Sequence, residues 1–151
     1  MFRGVSYLSI DSKSRLAMPV KYRDVLNELS NSQVILTIDP TDKCLLIYPM
    51  NGWDSVEISL LSLPTMNRLV RNRQRLILGY ASELTLDRQG RFLLPSPLRE
   101  YAGLQKQAVL VGQGNKFELW DTATWESACK AWLQEAQEAN SSNDILTQVS
   151  L

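Results

Sequence analysis

Two aspartate–arginine pairs with the same spacing are the residues of this sequence best suited to chemistry. Asp11 precedes Arg15 by four residues, and Asp87 precedes Arg91 by four residues. An aspartate that opens a turn can accept hydrogen bonds from backbone N–H groups two or three residues later. An arginine offers a rigid fork of N–H donors that suits a carboxylate or a phosphate. Each pair therefore predicts either a salt-bridged turn that only joins two strands or a turn that aims an arginine at an anion.

Both pairs belong to a nine-residue stretch that the sequence contains twice. The first copy spans residues 11–19 and the second spans residues 87–95, so the starting positions differ by 76 (87 minus 11). Each copy runs from aspartate through arginine and three mostly apolar residues to proline. A surface ion pair contributes only about 0 to 1 kcal/mol to the stability of a fold. A gain in stability is therefore a poor explanation for the same four-residue spacing between aspartate and arginine in both copies. The repeat favours the functional interpretation and predicts two related modules.

Alternating apolar and polar residues place each aspartate between two short strands. Residues 8–10 and 84–86 show the period-two pattern of a half-buried strand. The same parity after the turns assigns Arg15, Ala17, Pro19, Arg91 and Leu93 to one face, and Leu16, Met18, Val20, Phe92 and Leu94 to the other. Pro19 and Pro95 end strand pairing and suit the first turn of a helix. Each unit is predicted as strand, polar turn, strand and short helix.

The two turns differ at the residue before the arginine. Gly90 suits a positive backbone φ, which costs glycine least. The first copy has Ser14 at this position. The sequence therefore predicts that Asp11, Asp87 and Gly90 shape the turns, and that the first turn is either strained or differently shaped.

Basic residues surround the first motif more densely than the second. The candidate anion-binding residues are Arg3, Lys13, Arg15, Lys21 and Arg23 on the first unit, and Arg88 and Arg91, with weaker support from Arg99, on the second. Glu83 and Glu100 offset part of the positive charge near Arg91. We therefore expect Arg15 to contribute more to anion binding than Arg91.

The rest of the chain alternates strands and amphipathic helices. Helices are predicted over residues 20–29, from a cap at Asn51, from Pro64 to about Gly79, and from Asp121 or Thr122 to about Ala139; strands are predicted over 34–38, 44–48, 109–111 and 116–120; residues 140–151 are expected to be frayed. Tyr22, Val25, Leu26 and Leu29 are expected to form the apolar side of the first helix. Trp53 and Trp125 are expected to be packing anchors.

Four arginines cluster in the helix predicted to start at Pro64. They are Arg68, Arg71, Arg73 and Arg75. They predict either a second anion contact or a linker helix whose arginines bind neighbouring carboxylates and stay solvated. The linker is favoured because this helix joins the two units and its arginines are not interleaved with aromatic residues.

Composition excludes several classes of protein. Sixteen basic and sixteen acidic residues cancel, so any nucleic-acid binding depends on local clustering and on several copies acting together. Cys44 and Cys129 lack zinc-site spacing and are expected to be buried, reduced thiols of a cytosolic protein. The first residues lead directly into a strand pattern, so we expect no signal peptide, and no apolar run approaches the ~20 residues of a membrane span.

The absence of histidine argues against an enzyme. It removes Ser–His and Cys–His nucleophile pairs and the commonest general base. The glycine-rich segment 112–116 is better explained as a hairpin between two strands than as a phosphate loop. A carboxylate-only enzyme is a distant third hypothesis, and no cofactor is expected.

These residues resemble the MraZ family. The resemblance rests on the Met-Phe-Arg-Gly opening, both Asp-x-x-x-Arg motifs, and the segments 44–49 and 116–121. It implies a mixed α+β fold of two tandem, pseudo-symmetric AbrB-like (swapped-hairpin) modules. It also implies a bacterial transcription regulator of its own operon of cell-division and cell-wall genes, and ring-like homo-oligomers whose DNA-binding face is built from the motif hairpins. Ser14 departs from the glycine usual in the family.

We divide the chain on this basis into modules over residues 5–52 and 81–124, a helical linker over 53–80, and a C-terminal helix and tail over 125–151. The hypothesis is a sequence-specific DNA-binding regulator, cytoplasmic and nucleoid-associated, that binds promoter repeats on double-stranded DNA and no membrane. The alternative is an antitoxin-like scaffold that binds an acidic protein. The apolar surface expected from Tyr101, Trp120, Trp125 and Trp132 predicts a homo-oligomer larger than a dimer.

Overall fold

The computed structural model describes residues 1–138 and 145–151. The elements in this part of the chain are β1 (Val5–Ser9), β2 (Arg15–Ala17), α1 (Val20–Ser30), β3 (Gln33–Ile38), β4 (Leu45–Pro49), α2 (Met50–Leu61), α3 (Arg68–Gly79), β5 (Ser82–Thr85), β6 (Arg91–Leu93), α4 (Ser96–Tyr101), β7 (Gln107–Gly112), β8 (Phe117–Asp121), α5 (Thr122–Glu138) and a 3-10 turn at Leu146–Gln148. The mixed α+β class and the repeated order of strand, turn, strand and short helix are confirmed. The expectation of a frayed end falls partly on residues 140–144, which lie outside the described residues.

The two halves of the chain exchange strands within one antiparallel sheet. The strand order is β1-β7-β8-β4-β3-β5, so the first strand of each half pairs with a strand of the other half. Val5 pairs with Val111 at one edge, and Val34 pairs with Leu84 at the other. An isolated short hairpin is marginally stable, and this exchange buries each hairpin against the other half. The swapped arrangement is therefore confirmed.

The strands that follow the two motif turns pair with each other and form a separate two-stranded ribbon of β2 and β6. Its register aligns Arg15 with Leu93, Leu16 with Phe92 and Ala17 with Arg91. Residues directly opposite in an antiparallel pair share a face. Leu16 and Phe92 are buried beneath the ribbon, so the two motif arginines lie on its outward face.

The buried side of the ribbon joins the main hydrophobic core as the parity predicted, except at one residue. Leu16, Met18, Phe92 and Leu94 are all buried in that core. Val20 is instead 73% exposed, because it begins α1 and no longer follows the strand alternation. The prediction for Val20 is wrong.

Helix α1 buries a narrower side than the sequence predicted. Tyr22 and Leu26 are buried, while Val25 and Leu29 are exposed. The prediction is therefore right for two of these four residues, since the helix contacts the sheet along a single row of side chains. Tyr22 packs edge-on against Phe117 with ring centroids 4.8 Å apart.

Two helices begin at positions that differ from the sequence prediction. Helix α2 follows Pro49, so Asn51 lies inside the helix and does not cap it. Helix α3 begins at Arg68, four residues after Pro64. Its cap is Asn67, whose Oδ1 accepts from the backbone N–H of Leu69 at 2.9 Å and of Val70 at 3.4 Å. This cap satisfies N–H groups that lack partners in the first turn.

The aromatic pairs are packing anchors, as predicted. The ring centroids of Tyr48 and Trp53 are 5.7 Å apart at 59°, and those of Trp120 and Trp125 have the same separation and angle. At the start of α5, the Asp121 carboxylate accepts from Thr124 N at 3.1 Å, which confirms the predicted cap. The same packing geometry therefore recurs after both central strands.

The two cysteines are free thiols, and the glycine-rich segment 112–116 forms a hairpin. Cys44 is buried as predicted, Cys129 is only half-buried, and both are free. The segment 112–116 connects β7 and β8 as a hairpin, in which Gly112 passes the backbone of Arg3 too closely to admit a side chain.

No helix among the described residues is long and apolar enough to cross a membrane.

Candidate functional site

The first motif turn, residues 11–15, is held together by one carboxylate. Asp11 Oδ1 accepts from the backbone N–H of Lys13 at 2.9 Å and of Arg15 at 2.8 Å. Asp11 Oδ2 accepts from Arg15 Nε at 2.8 Å. The side chain thus closes the turn with one oxygen and orients the arginine with the other.

The second motif turn, residues 87–91, repeats this geometry. Asp87 Oδ1 accepts from the backbone N–H of Gln89 and of Arg91, both at 2.9 Å. Asp87 Oδ2 accepts from Arg91 Nε at 2.9 Å. Corresponding distances agree within 0.1 Å, so the two sites have the same geometry.

Hydrogen bonds lower the pKa of both aspartates. The backbone N–H of Arg15 is the main cause that holds the pKa of Asp11 below its ordinary value, and the backbone N–H of Arg91 does the same for Asp87. Desolvation is the second-largest effect and opposes this lowering, and weaker bonds from the two arginine side chains act again to lower the pKa of each aspartate. Both turns therefore carry a charged aspartate at neutral pH.

Each motif arginine is oriented through Nε, which leaves its terminal nitrogens open. Within residues 1–138 and 145–151, the side chains of Arg15 and Arg91 donate hydrogen bonds only through Nε, to their own aspartates. Their side chains are 32% and 35% exposed. The arrangement orients each guanidinium and leaves both terminal nitrogens without a hydrogen bond among the described residues, so that a bidentate acceptor could bind them.

The turns are also tied to each other across the ribbon. Met18 N donates to the carbonyl of Gly90 at 2.8 Å, and Leu94 N donates to the carbonyl of Ser14 at 2.8 Å. Ser14 has φ +64° and Gly90 has φ +73°, so both occupy the left-handed region. Of the two alternatives for the first turn, the structure therefore shows the strained one, with the same shape as the second turn.

A family model described as "MraZ protein, putative antitoxin-like" matches residues 1–76 and, again, residues 77–148. The chain belongs to the MraZ family. It is 51% identical to "Transcriptional regulator MraZ" of Thioalkalivibrio sulfidiphilus over the full length of both chains. It is 49% identical to the Halorhodospira halophila protein of that name, over 93% of this chain and 92% of the other, and 47% identical to the Pseudomonas putida protein over both full lengths. The family is one of transcriptional regulators and not of enzymes.

The structure groups the predicted basic residues unevenly. Lys13 lies in the first motif turn and Arg88 in the second, and both are exposed. Arg3 and Lys21 lie beside Tyr22, whose hydroxyl donates to the carbonyl of Arg3 and whose ring centroid is 4.9 Å from Lys21 Nζ. Among the described residues, no hydrogen bond or ion pair connects Arg3 or Lys21 to either motif turn.

Arg23 and Arg99 support the motif turn of the opposite module. Arg23 Nε donates to the carbonyl of Met18 at 2.7 Å, and its side chain lies against Gly90. Arg99 Nη1 donates to Ser14 Oγ at 2.6 Å. From the sequence, Arg23 was predicted to lie with the first motif and Arg99 with the second. This grouping is wrong because the hairpins are swapped, so that Arg23 lies against Gly90 and Arg99 bonds Ser14. Their matching positions in the repeat were the available signal for a shared structural role.

The four arginines of α3 are exposed, as the linker interpretation requires. The predicted carboxylate partners are absent: the motif pairs are the ion pairs found in the described part of the chain. Arg75 Nη1 instead donates to Asn72 Oδ1 at 3.3 Å. This part of the prediction is wrong for the described residues, in which none of the four arginines forms an ion pair.

One group of side chains has the composition of a metal site. Ligand atoms of Asp39, Cys44 and Glu118 lie within 4.8 Å of one another. Burial raises the pKa of the Cys44 thiol well above its ordinary value, and the nearby carboxylates raise it further. The protonated thiol lies 3.9 Å from Asp39 Oδ2 as a weak donor, while Glu118 accepts from Trp120 Nε1 at 3.2 Å. These contacts describe a buried, hydrogen-bonded thiol.

Proposed function

We propose that this chain is a sequence-specific DNA-binding transcriptional regulator whose contact surface is the outward face of the β2–β6 ribbon. The observation that carries the proposal is the presence of two oriented arginines with open terminal nitrogens on that face. The major groove of B-DNA admits a two-stranded ribbon, and an arginine fork suits the O6 and N7 acceptors of guanine. Because the pleat places Arg15 and Arg91 two residues apart along the ribbon, about 7 Å, they would read base pairs about two steps apart.

The remaining basic residues would contact phosphates around this ribbon. Lys13 and Arg88 lie in the turns at its ends, and Arg3, Lys21 and Arg23 belong to the first unit. Phosphate contacts set the register on DNA and base contacts select the sequence. In this proposal Asp11, Asp87 and Gly90 contact no DNA and only hold the arginines in place.

We further propose that the regulator acts as a ring-like homo-oligomer on promoter repeats upstream of its own cell-division and cell-wall operon. The chain has no net charge, so several copies acting together are needed for strong binding. Trp120 is buried and therefore cannot supply the oligomer surface expected of it. The exposed apolar residues available for contacts between copies include Ile58, Leu61, Met66, Leu69, Trp132 and Leu133. The proposed modules remain residues 5–52 and 81–124, with a linker and a C-terminal helix between and after them, in a cytoplasmic, nucleoid-associated protein without cofactor.

The test is a titration of the full chain against the DNA immediately upstream of its own gene, with scrambled DNA of equal length and composition as control. We expect tighter binding to the upstream DNA, and a logarithmic salt slope of about −0.9 for each phosphate neutralised. Equal affinity for both duplexes would refute the proposed regulation of its own operon.

The alternative is an antitoxin-like module that uses the same ribbon to bind an acidic protein. The family description, which includes "antitoxin-like", favours keeping this alternative. The same arginines would then pair with carboxylates on a folded partner. The titration distinguishes the two functions. If the ribbon binds an acidic protein instead of a specific DNA sequence, the chain should bind the upstream DNA and the scrambled DNA equally well.

A further inference from the structure

A large apolar side chain lies on the same outward face as the two motif arginines. Leu93 is directly opposite Arg15 in the ribbon register and is 58% exposed. Its neighbours Phe92 and Leu94 are 4% and 2% exposed. The strand alternation thus turns Leu93 away from the core, and its side chain makes no contribution to the packed cluster beneath the ribbon.

Single exposed leucines are common on protein surfaces and need no explanation by themselves. The position of Leu93 is distinctive, because Arg15 lies across the ribbon from it and Arg91 lies two residues earlier on the same strand. Opposite side chains have Cβ atoms about 5 Å apart. An object that occupies the fork of Arg15 therefore also meets the Leu93 side chain.

We propose that Leu93 determines specificity by contacting the C5-methyl group of a thymine beside the base read by Arg15. This inference rests on the proposed DNA-binding function. In the major groove, the thymine methyl is the apolar group that a hydrocarbon side chain can distinguish. Successive bases rise 3.4 Å along a strand, so the cross-ribbon distance of about 5 Å places this thymine within two steps of the Arg15 contact.

The repeat makes the proposed contact asymmetric. Ala17 occupies the position in the first unit that corresponds to Leu93, since 93 minus 17 is the repeat offset of 76, and it lies opposite Arg91. Its single methyl group reaches less far than a leucine side chain. The Arg15 end of the ribbon therefore depends on a thymine methyl group more strongly than the Arg91 end, and the two ends read different sequences.

The experiment replaces each thymine of the upstream DNA, one at a time, by 2′-deoxyuridine, which removes only the C5-methyl group. The affinity of the full chain is measured for each duplex. We expect one thymine in each bound repeat to show a loss of about fourfold, as expected when one methylene-sized group loses its contact. Leu93→Ala should bind the thymine and deoxyuridine duplexes equally, and Leu93→Met should retain part of the difference.

The matched control is Leu29→Ala, which shortens an exposed leucine on α1 and should keep the full difference. The inference is overturned if no thymine is sensitive in the unmodified chain, or if Leu93→Ala remains as sensitive as that chain. A change of oligomer mass in Leu93→Ala without a methyl effect would assign Leu93 to contacts between copies instead. Failure of the proposed function is distinguishable, because the unmodified chain would then bind scrambled DNA equally well.

Discussion

Arg99 Nη1 donates a 2.6 Å hydrogen bond to Ser14 Oγ, although the two residues are 85 positions apart in the sequence. Arg99 also donates through Nε to the carbonyl of Leu104 at 3.1 Å and through Nη2 to that of Gln105 at 2.5 Å. All three nitrogens are thus used within the chain. This arginine fastens the loop after α4 to the first motif turn, so the second module stabilises the site of the first.

Ser14 combines a left-handed backbone with a side-chain acceptor, and two substitutions separate these effects. Ser14→Ala keeps the strained φ and loses the bond from Arg99, so we expect a loss of about 1–3 kcal/mol, as for a charged donor that loses its acceptor. Ser14→Gly loses the same bond but relieves the backbone strain, so its net loss should be smaller. Urea unfolding of both variants measures the difference. Equal losses would mean that the backbone strain at Ser14 contributes nothing.

Gly90 occupies the corresponding position, where Arg23 leaves no room for a side chain. A Cβ at Gly90 would lie 2.3 Å from Arg23 Nε and 2.7 Å from Arg23 Cδ. Gly90→Ala should displace Arg23 from the Met18 carbonyl and destabilise the fold by roughly 1–3 kcal/mol, through strain and the lost hydrogen bond.

Gly103→Ala is the matched control for Gly90→Ala. Gly103 has φ +62°, but no atom lies within 4 Å of a Cβ built there. It should therefore show the backbone penalty alone, about 1 kcal/mol. If Gly90→Ala is no more destabilising than Gly103→Ala in urea unfolding, the contact with Arg23 is not a constraint.

The contacts of Arg23 and Arg99 could not be predicted from the sequence, although the strands could. Local alternation was sufficient to find the strands, the buried Leu16 and Phe92, and the outward Arg15 and Arg91, because strand parity is a property of neighbouring residues. The partners of Arg23 and Arg99 depend on which hairpins exchange, which involves residues far apart in the sequence. The sequence offered two possible starts for α3, one at Pro64 and one after Asn67. The helix starts at Arg68 because the Asn67 side chain caps it.

Lowered aspartate pKa values in both turns predict a specific pH dependence. A carboxyl group whose folded pKa lies below its unfolded value, about 3.9, stabilises the fold above that value, and the stabilisation is lost as the pH falls through the folded pKa. Asp11 and Asp87 both have lowered values. The motif turns should therefore be unaffected between pH 8 and pH 5, roughly, and should weaken below about pH 4.

The measurement is urea unfolding of the unmodified chain and of Asp11→Asn and Asp87→Asn over this range. Asparagine can still accept backbone hydrogen bonds but does not titrate. Each variant should be less stable at pH 7, and its difference from the unmodified chain should shrink as the pH falls below about 4. A difference that stays constant down to the lowest pH would show that ionisation of the aspartate does not support the turn.

The strand exchange between the two halves makes the surroundings of Arg15 and Arg91 more alike than the sequence suggested. The sequence favoured Arg15 because it placed Arg3, Lys13, Lys21 and Arg23 around it, and because Glu83 and Glu100 offset the charge around Arg91. The structure places Arg23 beside Gly90, and Arg99 beside Ser14, so each turn has one supporting arginine from elsewhere and one exposed cation of its own. With matching Nε–Oδ2 distances of 2.8 and 2.9 Å, we now expect comparable contributions.

Arg15→Ala and Arg91→Ala should each weaken binding to the upstream DNA by tenfold or more, since one arginine–base contact contributes about 1–3 kcal/mol and several copies multiply the loss. Arg71→Ala removes an exposed charge from α3 and should have a much smaller effect. Arg15→Lys keeps the charge but cannot form the fork that Asp11 orients, so it should resemble Arg15→Ala more than the unmodified chain. Affinity, urea unfolding and oligomer mass are measured for all four variants at one salt concentration. Full binding by Arg15→Lys would mean that the ribbon contributes only positive charge, and equal losses in Arg71→Ala would place the DNA contact outside the ribbon.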